Sequence, residues 1–380
     1  MLLLSLIIPT YNERQNIIPL IRRVTIALEK VTDDFEIIVV DDDSPDGTWQ
    51  VGEKLAEENP HLKVIRRQGE KGLATAVVTG WNAAGGEILG VMDGDLQHPP
   101  ETLPDLLDSI LNTHADIAVA SRHVEGGGIS DWSLIRRAIS WGAAALSTLM
   151  IPGILWSVRD PMSGYFFIRR SVIESVRLKP EGYKILLEVL GRGKYQTVIE
   201  IPYIFEERKE GGSKLGPKQY LEFLFHIARL ARDSGHIGRF IRYCTVGISG
   251  VLVNEEVLKF ITEVGGLYYI YSSLLAVEAA VITNFILNEF WTFSDRSSQR
   301  PGVLDRVRRF IKFNLICAGG GGLNVVVLWA LTELAGLHYL ISNLVGIGIS
   351  TLWNYGLNSN ITWEVPVTRK VKSLANDQVI

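Results

Sequence analysis

Cysteine is nearly absent from this chain: there are 2 among 380 residues, Cys244 and Cys317. That excludes a disulfide framework and allows a reduced compartment. Charge of one sign is also lacking. With 38 Lys and Arg against 42 Asp and Glu, the net charge is -4, so nothing points to a nucleic-acid partner. The N-terminal Met1-Leu2-Leu3-Leu4-Ser5-Leu6-Ile7-Ile8 has no basic flank and no small-residue cleavage site. It runs directly into Pro9-Thr10-Tyr11-Asn12-Glu13 and reads as a first strand, not a secretion signal. A glycine-rich phosphate loop is missing as well. Neither G-x-G-x-x-G nor G-x-x-x-x-G-K-[ST] follows that strand, which disfavours nicotinamide, flavin and ATP folds.

The length suggests two or three domains. Composition changes near Arg239, from a charged, Pro/Gly-punctuated first part to a long apolar second part. In the first part, apolar runs at 3–9, 35–41, 62–66, 88–92 and 117–121 alternate with helical patterns at 15–28, 49–58, 72–84 and 101–112. That alternation predicts βαβ units and a parallel sheet. In such sheets ligands sit outside the carboxyl ends of the strands.

Polar clusters mark those ends: Thr10-Tyr11-Asn12-Glu13, Asp41-Asp42-Asp43-Ser44 and Asp93-Gly94-Asp95. Ser44 and Asp46 suit helix capping. Acidic clusters converging on one sheet edge repel one another, which argues for a metal or ligand there. Asp93 and Asp95 share a face if the strand geometry persists beyond Met92, and Gly94 permits close approach. Carboxylate and amide oxygens suit a hard cation such as Mg²⁺ or Mn²⁺.

Three stretches together carry a resemblance: Ile7-Ile8-Pro9-Thr10-Tyr11-Asn12-Glu13, Val39-Val40-Asp41-Asp42-Asp43-Ser44-Pro45-Asp46-Gly47-Thr48 and Met92-Asp93-Gly94-Asp95-Leu96-Gln97-His98-Pro99-Pro100-Glu101. They resemble the inverting nucleotide-sugar glycosyltransferases of the GT-A fold (glycosyltransferase family 2), among them the enzymes that glycosylate polyprenyl phosphates. The resemblance covers roughly residues 1–235. It implies that Pro9, Tyr11, Glu13, Val39 and Asp41 hold the guanosine of GDP-mannose, with Asp93 and Gly94 lining the same pocket. Asp95 and Gln97 would bind the metal that carries the diphosphate. Arg122, Arg136 and Ser140 match positions that receive the acceptor phosphate. Lys184, Arg208 and Lys214 match positions on donor phosphates or sugar. Relatives often have Ala at Gly94, and can be basic where this chain has Glu210. The loop around Gly211-Gly212-Ser213 is expected to be a mobile lid. His98 reads as a structural residue holding its turn, because an anionic acceptor needs no protein base.

Residues 239–293 align with 309–363 without a gap, an internal repeat. Arg239-Phe240-Ile241 matches Arg309-Phe310-Ile311, Gly250 matches Gly320, and Asn284 and Asn288 match Asn354 and Asn358. Each unit holds two apolar segments long enough to cross a bilayer, expected near 241–263, 271–292, 311–333 and 340–360. Two crossings per unit make the repeat parallel. The segments 265–270 and 336–340 lack Lys and Arg, whereas Arg296, Arg300, Arg306, Arg308 and Arg309 lie between the units, and Arg369, Lys370 and Lys372 in the tail. The positive-inside rule places the linker, the tail and the N-terminal domain in the cytoplasm. The repeat resembles the GtrA-like membrane domain. Asn254, Glu255, Glu256, Glu278, Asn284, Asn288 and Glu289 are expected to face a bundle interior or an interface and to bond between helices. The apolar stretches 139–150 and 220–232 are candidates for helices in the membrane interface.

The expectation is an α/β GT-A catalytic domain over 1–216 and an amphipathic interface helix and linker over 217–238. An all-α four-helix transmembrane domain over 239–363 and a cytoplasmic tail over 364–380 follow. The resemblance implies inverting, metal-dependent mannosyl transfer from GDP-mannose to dolichyl or another polyprenyl phosphate, through Asp95, Arg122, Arg136 and Ser140. The alternatives are a polyprenyl-phosphate glucosyltransferase using UDP-glucose and a non-catalytic polyprenyl-lipid binding or flipping protein. The oligomeric state is open.

Overall fold

The computed structural model describes residues 2–129, 158–179, 184–206, 217–233, 235–364 and 371–373. Two compact units divide the chain. One comprises residues 1–145, 154–230 and 367–380, the other 146–153 and 231–366.

The first unit is built on an eight-stranded sheet. Strands β1 (Leu4–Thr10), β2 (Phe35–Asp41), β3 (Leu62–Arg66), β4 (Ile88–Val91) and β5 (Ile117–Ser121) fall where the apolar runs predict them. Helices α1 (Ile17–Leu28), α2 (Thr48–Glu58), α3 (Leu73–Ala83) and α4 (Leu103–Thr113) fill the gaps. β1 and β2 are buried along their whole length, which is why they read as unbroken apolar runs and not as alternating ones. The amphipathic α1 packs Leu20, Ile21, Val24 and Leu28 into the same core as Leu6, Ile8 and Phe167.

Other strands were not foreseen: β6 (Gly128–Ile129), β7 (Phe166–Arg169), β8 (Val198–Pro202), β9 (Ile204–Phe205) and β10 (Val371–Ser373). The order of the large sheet is β10-β8-β5-β7-β4-β1-β2-β3, with β6 and β9 forming a separate small pair. Every pairing in the large sheet is parallel except those of β7, which runs antiparallel between β4 and β5. The edge that carries the carboxyl ends of β4 and β5 therefore also receives the residues leading into β7. A short helical turn at Ser171–Glu174, α5 (Ile185–Arg192) and α6 (Pro217–Asp233) follow. Buried His226, Ile227 and Leu230 lie on α6, and His226 reaches Glu188 of α5 at 3.1 Å, while Phe225 is exposed. The stretch 139–150 lies outside the described residues.

The second unit repeats itself as the sequence does. α7 (His236–Glu263) and α8 (Tyr269–Leu287) form one hairpin, α9 (Val303–Trp329) and α10 (Tyr339–Leu357) the other. α8 and α10 each close in a wider-than-α turn at matched positions, Asn288–Thr292 and Asn358–Thr362. Matched aromatic rings meet at the centre: Phe293 stacks on its counterpart Trp363, centroids 4.4 Å apart and 7° from parallel. Around that pair the contacts come in twos. Phe240–Tyr355 and Phe310–Phe285 cross at 73° and 74°, at 5.0 and 5.1 Å. The hairpin turns use matched left-handed glycines, Gly266 and Gly336. Buried Glu289 is held by Arg309 and by Trp363 Nε1–H at 2.8 Å, as expected of interhelical bonding. Glu255, Glu256 and Glu278 are exposed on the helix surfaces, so they do not line the bundle interior. Of the expected crossings, Tyr269–Thr292 and Val303–Leu334 are long and apolar enough to span a membrane.

In β4 a side chain at Gly90 would lie 2.6 Å from the ring of buried Phe167. Gly90→Ala should destabilise the protein by about 1–3 kcal/mol through overpacking. A melt of the full chain that matches wild type would contradict this packing.

Candidate active site

The ends of β1, β2 and β4 each place a non-glycine residue in the left-handed region: Asn12 at φ 56°, Asp43 at 57° and Leu96 at 61°. Such strain persists only where the surroundings over-determine it, and it concentrates at functional sites.

At the end of β2 the acidic run is satisfied from within the protein. Asp41 is fully buried and accepts hydrogen bonds from the Ser44 amide and hydroxyl, both at 2.7 Å, and from Thr10 Oγ1 at 2.8 Å. Asp42 is paired with Arg67 and accepts from the Gly72 amide at 2.7 Å. Asp43 meets Arg66 at 2.6 Å, and Asp46 accepts from Thr48 Oγ1 at 2.6 Å. Within this run the repulsion is removed by Arg66 and Arg67, brought to this edge at the end of β3. Of the residues expected to hold a nucleoside, Pro9 and Val39 lie buried in strands. Glu13 accepts from Asn16 Nδ2 at 2.7 Å. Tyr11 lies under the Lys71 ammonium, 4.8 Å from its ring centre.

The acidic pair after β4 is arranged differently from the extended geometry the alternation suggested. The strand ends at Val91, and residues 94–96 bend sharply. Gly94 packs against the end of β1: a Cβ there would lie 3.0 Å from Thr10 Cγ2. Asp95 Oδ1 accepts the Gln97 amide at 3.2 Å, closing an Asx turn. The Gln97 Nε2 donates to the Glu206 carbonyl at 3.0 Å. Its nitrogen is thereby committed, and Oε1 is the atom left to accept. A carboxylate and an amide oxygen on one turn fit a hard divalent cation. Among the described residues no three His, Cys, Asp or Glu side chains converge as a metal cage. A cation here would take its remaining ligands from water or a bound diphosphate.

His98 is the pivot of this turn. Its ring is 2% exposed and stacks on Tyr165 at 5.1 Å, with Tyr203 and Phe205 edge-on. Nδ1 accepts the Asp93 amide at 3.3 Å. Burial pulls its pKa down to about 4; Asp95 opposes the shift, while Arg122 and Lys184 add to it. The imidazole is neutral at physiological pH and acts as an acceptor that holds Asp93, matching the structural role read from sequence.

The residues leading into β7 bring what the sequence reading missed. Asp160 receives Arg122 in a fork, Nε to Oδ2 at 2.7 Å and Nη2 to Oδ1 at 2.8 Å, and accepts the Arg122 amide at 3.0 Å. Both side chains are buried. Burial alone would raise the Asp160 carboxyl, but Arg122 holds it below the usual carboxylate range. Glu200 of β8, fully buried, accepts the amides of Arg159 and Asp160 at 2.8 and 3.0 Å. Two of the three Arg122 nitrogens are thus engaged by Asp160, so the phosphate-binding fork expected from sequence is partly occupied. Lys184 Nζ donates to the Met162 carbonyl at 2.8 Å. Its pKa is drawn down to about 8 by burial and by Arg122, against the pull of Asp93 and Asp160. A side chain at Gly164 would lie 2.7 Å from Asp93 Oδ2, so glycine is needed there.

The structure therefore gathers Asp93, Asp95, Gln97, Arg122 and Lys184 around His98, and adds Asp160. Arg136, Ser140, Arg208 and Lys214, together with the lid around residues 211–213, lie outside the described residues. The signal for the missed group was Asp160-Pro161-Met162-Ser163-Gly164-Tyr165, a polar, Pro/Gly-marked stretch beside an apolar run.

A mostly parallel sheet with this edge, joined to a helical membrane domain, defines a nucleotide-sugar glycosyltransferase of GT-A type. Comparison with known proteins gives the same class. The profile described as "Glycosyl transferase family 2" matches residues 5–177, and "GtrA/DPMS, transmembrane domain" matches 242–363. A dolichol-phosphate mannosyltransferase of Pyrococcus furiosus is 44% identical over 359 residues, 94% of this chain and 99% of that protein. One of Saccharomyces cerevisiae is 36% identical, covering 60% of this chain and 86% of its own. The polyprenol monophosphomannose synthase of Mycolicibacterium smegmatis is 35% identical, covering 58% and 84%. The chain belongs to glycosyl transferase family 2, as a glycosyltransferase joined to a GtrA/DPMS transmembrane domain.

Asp160→Ala removes one partner of a buried ion pair and should cost about 3–5 kcal/mol. A smaller cost than Arg23→Ala, which removes the exposed Arg23–Glu101 pair, would contradict the buried-pair assignment. Because the His98 pKa is depressed in the folded state, its contribution is complete above about pH 6.5 and is lost as pH falls toward 4. Unfolding free energy should decline across that window in wild type, and the decline should flatten in His98→Gln. An unchanged slope would contradict it.

Proposed function

We propose that this glycosyltransferase moves mannose from GDP-mannose to the phosphate of a membrane-held polyprenol such as dolichol, with inversion at the sugar. The reading is carried by the juxtaposition of the oxygen-donor turn Asp95–Gln97 with the cationic Arg122 and Lys184. It is supported by 44% identity, across nearly the whole chain, to a protein named as a dolichol-phosphate mannosyltransferase. A Mg²⁺ or Mn²⁺ ion on Asp95 and Gln97 would neutralise the departing diphosphate. Pro9, Tyr11, Glu13, Val39, Asp41, Asp93 and Gly94 would form the nucleoside pocket, with buried Pro9, Val39 and Asp41 acting through backbone and shape. Lys184, with Arg208 and Lys214, would contact the donor phosphates. Arg122, Arg136 and Ser140 would position the acceptor phosphate, Asp160 fixing the guanidinium of Arg122 in place.

In the reaction an acceptor phosphate oxygen attacks the anomeric carbon from the face opposite the nucleotide. The bond from that carbon to the diphosphate oxygen breaks, and GDP leaves with the electron pair. The acceptor is already anionic, so no proton need be removed. That agrees with a His98 which is buried, neutral and occupied in holding Asp93.

In this reading the chain crosses the bilayer four times, with catalytic domain, inter-repeat linker and tail on the cytoplasmic side. Strand β10 near the C-terminus lies in the same sheet as β1, and an even number of crossings meets that constraint. Exposed Tyr268, Tyr269, Tyr271 and Tyr339 at the two hairpin turns suit the opposite interface.

The test is incubation of the purified full-length protein with labelled donor, dolichyl phosphate and Mn²⁺. GDP-mannose should give labelled lipid and UDP-glucose should not. Asp95→Ala should lower transfer at least 100-fold, on the order expected for losing a principal charge stabiliser, with its melting temperature unchanged. Wild-type turnover in that variant, or preference for UDP-glucose, would overturn the reading.

A further inference from the structure

The internal repeat gives a measure of which basic residues the helical bundle itself requires. Arg242 Nη1 donates to the Trp291 carbonyl, and its counterpart Lys312 donates to the Ile361 carbonyl at 3.0 Å. Arg239 pairs with Asp295, and its counterpart Arg309 pairs with Glu289. These four cations serve the bundle in matched positions. Arg296, Arg300 and Arg308 have no matched cation within the repeats: Arg308 is matched by Gly238, and Arg300 and Arg296 lie in the linker between repeats.

Together with Arg309 and Lys312, these extra arginines line a cavity of about 250 Å³ in the second unit. Its other charged walls are Asp305 and Glu364; with Arg309 already paired to Glu289, four cations face two carboxylates among the described residues. Arg296 forms a buried wall, 9% exposed. Its Nη1 donates to the Ser359 and Trp363 carbonyls, and among the described residues it forms no ion pair. A buried guanidinium held by carbonyls and by the Phe293 ring at 5.9 Å, with no direct carboxylate partner, is stabilised further by an anion that reaches it. Arg300 and Arg308 stand at the mouth, with side chains 47% and 67% exposed. The cavity is at the foot of the span Val303–Leu334, the level at which anionic headgroups meet basic pockets between helices.

We propose that this cavity binds the phosphate group of an anionic membrane lipid, separately from the acidic strand ends of the first unit. Arg296 forms the inner contact, and Arg300 and Arg308 close over the headgroup. The site belongs to one repeat only, so the domain is symmetric in its packing and asymmetric in its lipid contacts.

The experiment uses the full chain in phosphatidylcholine nanodiscs doped with labelled phosphatidylglycerol, and reads lipid retained per protein. Wild type should enrich phosphatidylglycerol over phosphatidylcholine. Arg300→Ala and Arg308→Ala should each weaken retention about fivefold, the effect of one interfacial charge, and Arg308→Lys should restore it. Arg242→Ala, at the position matched to Lys312 but outside the cavity, should retain lipid as wild type does. Melting temperatures report folding, and Arg300 and Arg308 are exposed enough for either variant to fold. Equal retention in the Arg300 and Arg308 variants would overturn the proposal. So would displacement of the lipid by inorganic phosphate alone, which would mark the cavity as a site for a soluble anion.

Discussion

The catalytic unit depends on the insertion of one antiparallel strand into an otherwise parallel sheet. Because β7 enters between β4 and β5 from the opposite direction, it delivers Asp160 to the edge where β5 delivers Arg122. The resulting ion pair is buried on both sides and anchored by Glu200 from the next strand. In low dielectric neither charge is tolerable alone, so each fixes the other. Lys184 and Asp93 then take their positions against a charge pattern that is already set, and the neutral His98 fixes the backbone of the acidic turn. Rigidity here is electrostatic in origin, and in the proposed reaction it would serve to hold several phosphates still.

Much of this was legible in the sequence. The parallel strands β1 to β5 and their helices fell close to the expected boundaries, because buried strands give unbroken apolar runs ended by polar clusters. Asp95 and Gln97 were singled out through the resemblance carried by Met92–Glu101, and the structure places them on one turn. What escaped was non-local. The partners of Asp43 and Asp42, Arg66 and Arg67, lie at the end of a different strand. Asp160 went unmarked because the direction of β7 sets its role. Periodicity carries no information about strand order. The bend at residues 94–96 was also hidden, since Leu96 occupies a left-handed conformation that its side chain does not advertise.

The membrane domain shows the reverse balance. Its repeat and its four helices were visible from matched residues alone, and the stacked Phe293 and Trp363 are the structural image of that duplication. The polar residues were harder to assign. Glu289 binds between helices, whereas Glu255, Glu256 and Glu278 lie outside the bundle. Hydropathy identifies a costly residue but not the face it occupies. The departures from symmetry, above all the arginines between the repeats, are where duplicated packing has room for a separate binding role.

In the proposed reaction a divalent ion at the Asp95–Gln97 turn joins the donor's diphosphate to the sheet edge. Calorimetric titration of GDP into the full-length protein tests it most directly, with Mn²⁺ present and then with the ion removed by chelation. Binding should be tight with Mn²⁺, at least tenfold weaker without it, and show no such ion dependence in Asp95→Asn. GDP binding of equal strength in the chelated wild-type protein would contradict it.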